Sequence, residues 1–169
     1  MENIRKELDV ESATANLESS FCGYRLMQMS PEDAREAAQI EAGIFSMPWS
    51  ENSFRTSLQS KDTCYLCWRD ENEMVGYCGF LQSFDEADIT NVAVRSDHRG
   101  RGLGRKMLEE LMKCGNQRGV SRFTLEVRKS NETALSLYQS LGFESAGIRK
   151  NFYEKPKEDA VIMWKVDNC

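Results

Sequence analysis

The chain has 169 residues, the length of one ordinary domain, and a chain of this length folds without disulfide bonds or metal ions. Hydrophobic residues make up 40% and charged residues 29% of it, which excludes a wholly disordered protein. The net charge of −5 argues against a protein that coats duplex nucleic acid, because such binding depends on clustered Lys and Arg. We therefore expect no direct nucleic-acid partner.

Residues 1–22 differ from the rest of the chain in having weak periodicity, a local charge of −3 and no apolar signal-peptide segment. We expect an acidic, flexible N-terminal extension over residues 1–22 and one folded domain over residues 23–169. The sequence lacks a run of roughly 18 apolar residues, so no membrane partner is expected. Without a secretion signal, the six cysteines indicate reduced thiols in a cytoplasmic protein.

The first half of the chain predicts one strand, two helices and three further strands. Residues 24–29 alternate polar and apolar side chains, as a strand does. Ser30 and Pro31 then start a helix, and apolar residues at helical spacing extend it to residue 45. A short helix capped by Ser50 follows. The next strands are predicted at residues 64–68, 74–84 and 89–94.

The second half alternates helices and strands. An apolar stripe from Leu103 predicts a helix that ends at Gly119. A strand at 121–127 and a helix at 131–141 follow, and two strands near 143–150 and 159–166 finish the chain. This order, β-α-α-β-β-β-α-β-α-β-β, predicts an α/β or α+β domain with a mixed sheet.

A glycine-rich loop joins the strand at 89–94 to the helix that begins at Leu103. Gly100, Gly102 and Gly104 occupy alternate positions, so the backbone can approach a ligand closely. Unpaired N–H groups at the helix N-terminus favour an anion such as phosphate or pyrophosphate. The loop lacks the Gly-Lys-Ser/Thr of a Walker A motif, and Arg105 replaces the third glycine of a dinucleotide fingerprint. The structural alternative is a turn that serves only the fold.

Glu126 is the second candidate for chemistry. It shares a strand face with Thr124, while Phe123, Leu125 and Val127 point the other way. A carboxylate on a buried strand is costly unless it is paired or lines a cavity, which favours a general base of raised pKa. The alternative is a solvated Glu on an edge strand or at a strand end.

Asn131 and Tyr138 are the third candidate pair. Asn131 suits a helix N-cap, and Tyr138 continues an apolar stripe, so capping and core packing are their structural interpretations. Two helical turns separate them, so both could line one edge of a cleft. No metal site is expected: His98 is interpreted as solvated, and Cys64 and Cys67 face opposite sides of a strand.

The loop Arg99-Gly100-Arg101-Gly102-Leu103-Gly104 resembles the Q/R-x-x-G-x-G/A signature of the GCN5-related N-acetyltransferases, the GNAT family, which holds the pyrophosphate of acetyl-coenzyme A. The resemblance covers about residues 24–166. It is similar to the RimI-type branch, which acetylates the N-terminal alanine of a small-subunit ribosomal protein. The segments that carry this similarity are residues 47–50, 91–94, 125–131, 134–143, 151–153 and 158–163.

The resemblance implies the single-domain α/β GNAT fold, a central mixed sheet flanked by helices, in which two splayed parallel strands admit acetyl-coenzyme A. Here those strands end near Val94 and Val127. It also implies Glu126 as proton acceptor and Tyr138 as proton donor, with direct attack in a ternary complex and no metal. The implied coenzyme-binding residues are Val92, Ala93, Val94, Arg99, Gly100, Arg101, Gly102, Leu103, Gly104, Arg105 and Asn131.

The implied enzyme is thus an acyltransferase whose partner is the N-terminal peptide of a ribosomal protein. Alternatives are a GNAT enzyme for small amines, other protein N-termini or lysines, a coenzyme-binding regulator without turnover, and a nucleotide-phosphate binder. The chain departs from the family pattern at Ser96, where Pro is usual, and at Glu154, where Pro often follows two tyrosines. The oligomeric state is left open.

Overall fold

The structure is a computed structural model that describes residues 19–167. Its helices are α1 (Ala34–Ile44), α2 (Glu51–Leu58), α3 (Leu103–Gln117) and α4 (Glu132–Ser140). Its strands are β1 (Ser19–Phe21), β2 (Tyr24–Gln28), β3 (Thr63–Asp70), β4 (Glu73–Ser83), β5 (Glu86–Val94), β6 (Arg122–Arg128), β7 (Glu144–Glu154) and β8 (Lys157–Val166). The strands form one sheet in the order β1-β2-β3-β4-β5-β6-β8-β7.

Every helix and strand predicted from the sequence is present, and β1 is an additional strand. β1 pairs antiparallel with β2 through a tight turn at Cys22 and Gly23, whose φ angles are +53° and +86°. Two successive positive φ angles are typical of a type I′ hairpin turn. The last residues of the predicted extension therefore belong to the sheet. The rest of that extension, residues 1–18, lies outside the described residues, as do residues 168–169.

The two faces of the sheet carry separate hydrophobic cores. α3 covers one face, where Leu103, Met107, Leu108 and Leu111 are buried, and Tyr138 of α4 joins the same core. On the other face, α1 and α2 supply a second core that includes Phe54. Cys64 belongs to the first core and Cys67 to the second, which confirms that they face opposite sides.

The described strands contain one parallel pair, β5 and β6, and this pair separates along its length. It is joined at three positions: Glu86 with Arg122, Ala87 with Phe123, and Asp88 with Thr124. Beyond Asp88 the two strands no longer pair, although β5 continues to Val94 and β6 stays paired with β8 as far as Arg128. The predicted splay between strands ending near Val94 and Val127 is therefore confirmed.

No helix within residues 19–167 combines the length and the apolar character needed to cross a membrane.

Candidate active site

The gap between β5 and β6 exposes one backbone edge of β5. The N–H of Arg95 donates a hydrogen bond of 2.8 Å to the carbonyl of Val75 on β4. Hydrogen-bond directions alternate along an antiparallel strand, so the N–H and C=O groups of Val92 and Val94 point away from β4. Within the described residues, the N–H and C=O of Val92 and the N–H of Val94 are therefore free to bind an extended ligand in the gap. The sequence predicts this role for Val92, Ala93 and Val94, but the backbone groups of Ala93 are turned toward β4.

The glycine-rich loop brings the N-terminus of α3 to the end of β5. Gly100 and Gly102 have φ angles of +74° and +79°, a backbone conformation that favours glycine, and Gly102 is the N-cap of α3. No side chain caps this helix, and its first turn carries no acidic residue. Within the described residues, the first α3 N–H with a backbone partner is that of Lys106. The preceding N–H groups, including those of Leu103 and Gly104, are therefore available to an anion.

The three loop arginines contact the protein rather than only solvent. Nε of Arg99 donates to the carbonyl of Val94 at 2.8 Å. Arg101 donates to the hydroxyl of Tyr24. Arg105 donates to the hydroxyl of Ser140, next to the end of α4. The arginines therefore brace the loop against β5, β2 and α4, and they also place three positive charges beside the open helix N-terminus.

His98 is not the solvated residue that the sequence suggested. Its Nδ1 lies 2.9 Å from the Tyr24 hydroxyl, and its side chain is only 14% exposed. It lies in a short 3-10 helix, Ser96–His98, which forms although Ser96 replaces the usual proline. The ring of Phe21 approaches Gly102, since a Cβ there would lie 3.6 Å from it. The β1–β2 hairpin thus supports the glycine-rich loop, which the sequence analysis missed.

Glu126 faces the gap from β6. β6 lies between β5 and β8 in the sheet, but at Glu126 it pairs only with β8, so this residue lies on a locally open strand edge that borders the gap. The Glu126 side chain is 25% exposed, and its Oε1 accepts a hydrogen bond of 3.0 Å from Nη1 of Arg149 on β7. Its Oε2 has no hydrogen bond within the described part of the chain, so this oxygen can take a proton from a ligand.

Asp88 is a second carboxyl beside Glu126, and the sequence analysis did not select it. Its Oδ1 is buried and lacks a hydrogen-bond partner in the described residues. Burial, together with the negative charge of Glu126, raises the pKa of Asp88 to about 6, while Arg149 acts in the opposite direction. A signal was available, because Asp88 places a charge directly before a run of apolar and neutral strand residues from Ile89 to Val94.

Asn131 and Tyr138 have the structural roles that the sequence offered for them, helix capping and core packing. Oδ1 of Asn131 accepts a hydrogen bond of 3.1 Å from the N–H of Ala134, so Asn131 caps α4. Tyr138 is 8% exposed and packs edge-on against Phe143, with ring centroids 5.9 Å apart. Burial raises the pKa of Tyr138, so it keeps its proton throughout the neutral range. Its hydroxyl makes no hydrogen bond with the described residues and is free to donate.

The β7–β8 hairpin lies beside Glu126, which Arg149 and Tyr153 of β7 contact, and the α1–α2 loop reaches this hairpin. The hydroxyl of Ser46 donates to the carbonyl of Lys155, which joins these two segments. Several large apolar side chains on them are exposed by 40% or more: Phe45, Met47, Ile148 and Phe152. Apolar pockets with a few polar groups are typical of ligand sites. Glu154, the second departure from the family pattern, ends β7 in this hairpin.

Glu41 of α1 anchors the α1–α2 loop from beneath. It is only 4% exposed, and its Oε1 accepts from the Trp49 N–H at 3.4 Å. Its Oε2 accepts from the hydroxyl of Tyr77 on β4. Burial raises the pKa of Glu41 to about 7, and the hydrogen bonds from Trp49 and Asn91 act against that rise.

Within residues 19–167, no group of three or more His, Cys, Asp or Glu side chains is arranged to hold a metal ion.

Comparisons with known proteins agree with this geometry. A family model described as the acetyltransferase (GNAT) family matches residues 34–143. The ribosomal protein bS18-alanine N-acetyltransferase of Salmonella typhimurium is 40% identical over 137 residues, which are 80% of this chain and 92% of that protein.

Solved structures share the fold. The crystal structure of the ribosomal-protein-S18-alanine N-acetyltransferase from Escherichia coli superposes with a TM-score of 0.80 at 34% identity, covering 86% of this chain and 96% of that one. The PaiA N-acetyltransferase of Thermoplasma acidophilum, solved in complex with coenzyme A, has a TM-score of 0.70 at 18% identity, with coverages of 85% and 98%. At that identity the likeness shows the fold alone.

Proposed function

Because the chain belongs to the acetyltransferase (GNAT) family, we propose that it acetylates the N-terminal α-amine of a ribosomal protein that begins with alanine. It is an N-acetyltransferase, and its acetyl donor is acetyl-coenzyme A. The observation that carries the proposal is the position of Glu126 beside the gap, with an Oε2 that accepts no hydrogen bond from the described residues. The exposed apolar side chains of the α1–α2 loop and of β7 offer a surface for a peptide. The choice of alanine rests on relatives named for that activity.

The coenzyme side of the gap is built from backbone groups. The pantetheine arm carries amides, which suit the unpaired N–H and C=O of Val92 and the unpaired N–H of Val94. The pyrophosphate suits the open N-terminus of α3, where Gly102 lets the backbone approach closely. Arg99, Arg101 and Arg105 add positive charge, and Asn131 lies at the start of the neighbouring helix α4.

The proposed chemistry is direct attack of the amine on the thioester. An α-amine has a pKa of roughly 7.7–8.0, against about 10.4 for Lys, so a modest base suffices near neutral pH. Glu126 accepts the amine proton, directly or through a water molecule. A backbone N–H near Val94 stabilises the oxyanion, and both reactants are held together, so positioning supplies much of the acceleration.

Tyr138 is proposed as the donor to the departing sulfur. Burial raises the pKa of Tyr138, so its hydroxyl stays protonated near neutral pH and does not lose its proton to a thiolate unless another proton replaces it. The Tyr138 hydroxyl therefore donates a hydrogen bond to the sulfur as the C–S bond breaks, and it passes its proton to the thiolate as a proton lost by the amine replaces it. No covalent intermediate with the protein is needed, so the mechanism requires no catalytic cysteine.

A peptide panel tests the proposal. The protein is incubated with acetyl-coenzyme A and peptides beginning with Ala, the same peptides with a blocked N-terminus but an internal Lys, and a set of small amines. Acetylation of the free Ala N-terminus alone is expected. Transfer only to Lys or small amines would reject the ribosomal substrate, and binding of acetyl-coenzyme A without any product would indicate a regulator. ATP should not compete with acetyl-coenzyme A.

Inside the cell, mass spectrometry of ribosomal proteins from a strain lacking this chain should show one unacetylated N-terminal alanine. Such a substrate implies a cytoplasmic enzyme.

A further inference from the structure

Asp88 lies where the two parallel strands separate. It is the last residue of β5 that pairs with β6, and its partner is Thr124. Paired residues share a face of the sheet, and side chains two positions apart on a strand also share a face, so Asp88 and Glu126 point to the same side. The strands separate beyond this pair, but the two carboxyls remain close enough for the charge of Glu126 to raise the pKa of Asp88.

The surroundings of Asp88 leave its carboxyl without a protein partner. Oδ1 is buried and accepts no hydrogen bond from the described residues. A buried acceptor of this kind is costly unless a water molecule, a ligand or its own proton satisfies it. The charged groups that face it are Glu126 from β6 and Arg149 from β7. Arg149 is already bonded to Glu126, and the cross-strand neighbour on β4 is Leu81.

The proposed reaction releases one proton in each turnover. An acceptor enters the site as an ammonium with three N–H protons. The amide product keeps one of them and the coenzyme A thiol needs one, so one proton must leave the site in each turnover. Glu126 must lose that proton before the next turnover.

We propose that Asp88 is a relay carboxyl of the acceptor site, which takes the amine proton from Glu126 and releases it to solvent. This inference rests on the proposed function. The proton moves from nitrogen to Oε2 of Glu126, then through the carboxyl of Asp88, whose side chain is partly exposed, to water. Glu126 and Asp88 each return to the carboxylate form. The remaining proton that the amine loses restores the Tyr138 hydroxyl, so the site is unchanged after the cycle.

The pH profile of the acetylation rate tests the relay. In wild type, the acid limb of kcat/KM should include a group titrating near pH 6. Asp88→Asn keeps the shape and removes that group together with a negative neighbour of Glu126. We expect kcat at pH 7 to fall about tenfold and the acid limb to move to lower pH by about one unit. An unchanged rate and an unchanged limb, or a limb moved to higher pH, would overturn the inference.

Two variants control for structure. Glu86→Gln removes a carboxyl two residues earlier on the same strand face, where it pairs with Arg122, and should leave the profile unchanged. Asp88→Ser must give the same shift as Asp88→Asn. The melting temperature should not fall in either Asp88 variant, because Oδ1 has no hydrogen bond to lose.

A double substitution separates a relay from independent effects. If the two carboxyls act in sequence, Asp88→Asn combined with Glu126→Gln should lose little more activity than Glu126→Gln alone. Losses that multiply would contradict the relay.

A substrate-free measurement separates this inference from the proposed function. Carboxyl ¹³C NMR should show that Glu126→Gln lowers the pKa of Asp88, because a like charge is removed. With that result but no acetylated Ala peptide, the proposed function fails alone. With normal peptide turnover in Asp88→Asn and no change in the NMR titration, the relay fails alone.

Discussion

Nη1 of Arg149 donates a hydrogen bond of 3.0 Å to Oε1 of Glu126, and this contact ties β7 to β6 beside the gap. The Arg149 side chain is 58% exposed, so the pair contributes at most about 1 kcal/mol to stability. Its effect is on geometry. With Oε1 occupied, Glu126 is oriented with Oε2 available to the acceptor.

Glu126→Gln should therefore lower kcat without weakening the binding of acetyl-coenzyme A. The amide keeps the shape of the side chain and can no longer accept a proton, and loss of a general base typically costs about 10²–10⁴ in rate. Steady-state kinetics with an Ala-starting peptide gives kcat, and calorimetry gives the affinity for acetyl-coenzyme A. A normal rate from pH 6 to 9 would show that Glu126 is not the base.

Gly102→Val should abolish coenzyme binding. Gly102 has a φ of +79°, which a β-branched residue adopts only with strain of roughly 1–3 kcal/mol, and its backbone lies at the open start of α3. Gly119→Val is a matched control beyond the other end of α3, because the φ of Gly119 is +85° and a Cβ there meets nothing within 4 Å. Both variants should lose similar stability by thermal unfolding. Only Gly102→Val should lose binding by calorimetry, and equal binding in the two variants would reject the pyrophosphate assignment.

The sequence predicted the elements well because each has a local cause. An apolar stripe and the glycine that follows the helix predict α3. The N-cap Ser50, whose hydroxyl oxygen accepts a hydrogen bond from the N–H of Ser53, predicts α2. Strand β1 was not predicted, because its three residues are too few to show a periodic pattern. Its turn at Cys22 and Gly23 was the available clue, since glycine commonly supports positive φ there.

The site was predictable only as far as its residues are close in sequence or match the family. The loop from Arg99 to Arg105 and the cap by Asn131 are local features. The contact of Tyr24 with His98 joins residues 74 positions apart, and that of Arg149 with Glu126 joins residues 23 apart. No periodicity shows which strand pairs bring such side chains together, so these partners appear only in the folded chain.

Glu41 should make the stability of the protein depend on pH. Its pKa rises from 4.5 in the unfolded chain to about 7 in the fold, so between these values the native state binds more protons. Stability therefore falls as pH rises from about 4.5 to 7 and then levels off, through a change on the order of 3 kcal/mol. Urea unfolding at pH 5, 6, 7 and 8 should show this fall in wild type. The Glu41→Gln variant should lack this contribution, and an equal slope in both proteins would contradict it.

Tyr138→Phe tests the residue with the strongest structural interpretation. The ring is buried against Phe143, and the hydroxyl makes no hydrogen bond with the described residues, so removing it should leave the melting temperature unchanged. A free thiol has a pKa near 8.5, so thiolate is a tolerable leaving group, and kcat at pH 7 should fall only about 10–10³-fold. The difference from wild type should shrink at high pH, where the thiolate persists without a proton. The measurement is kcat against pH for both proteins, with thermal unfolding as the control. Equal kcat at pH 7 would leave Tyr138 with a packing role alone.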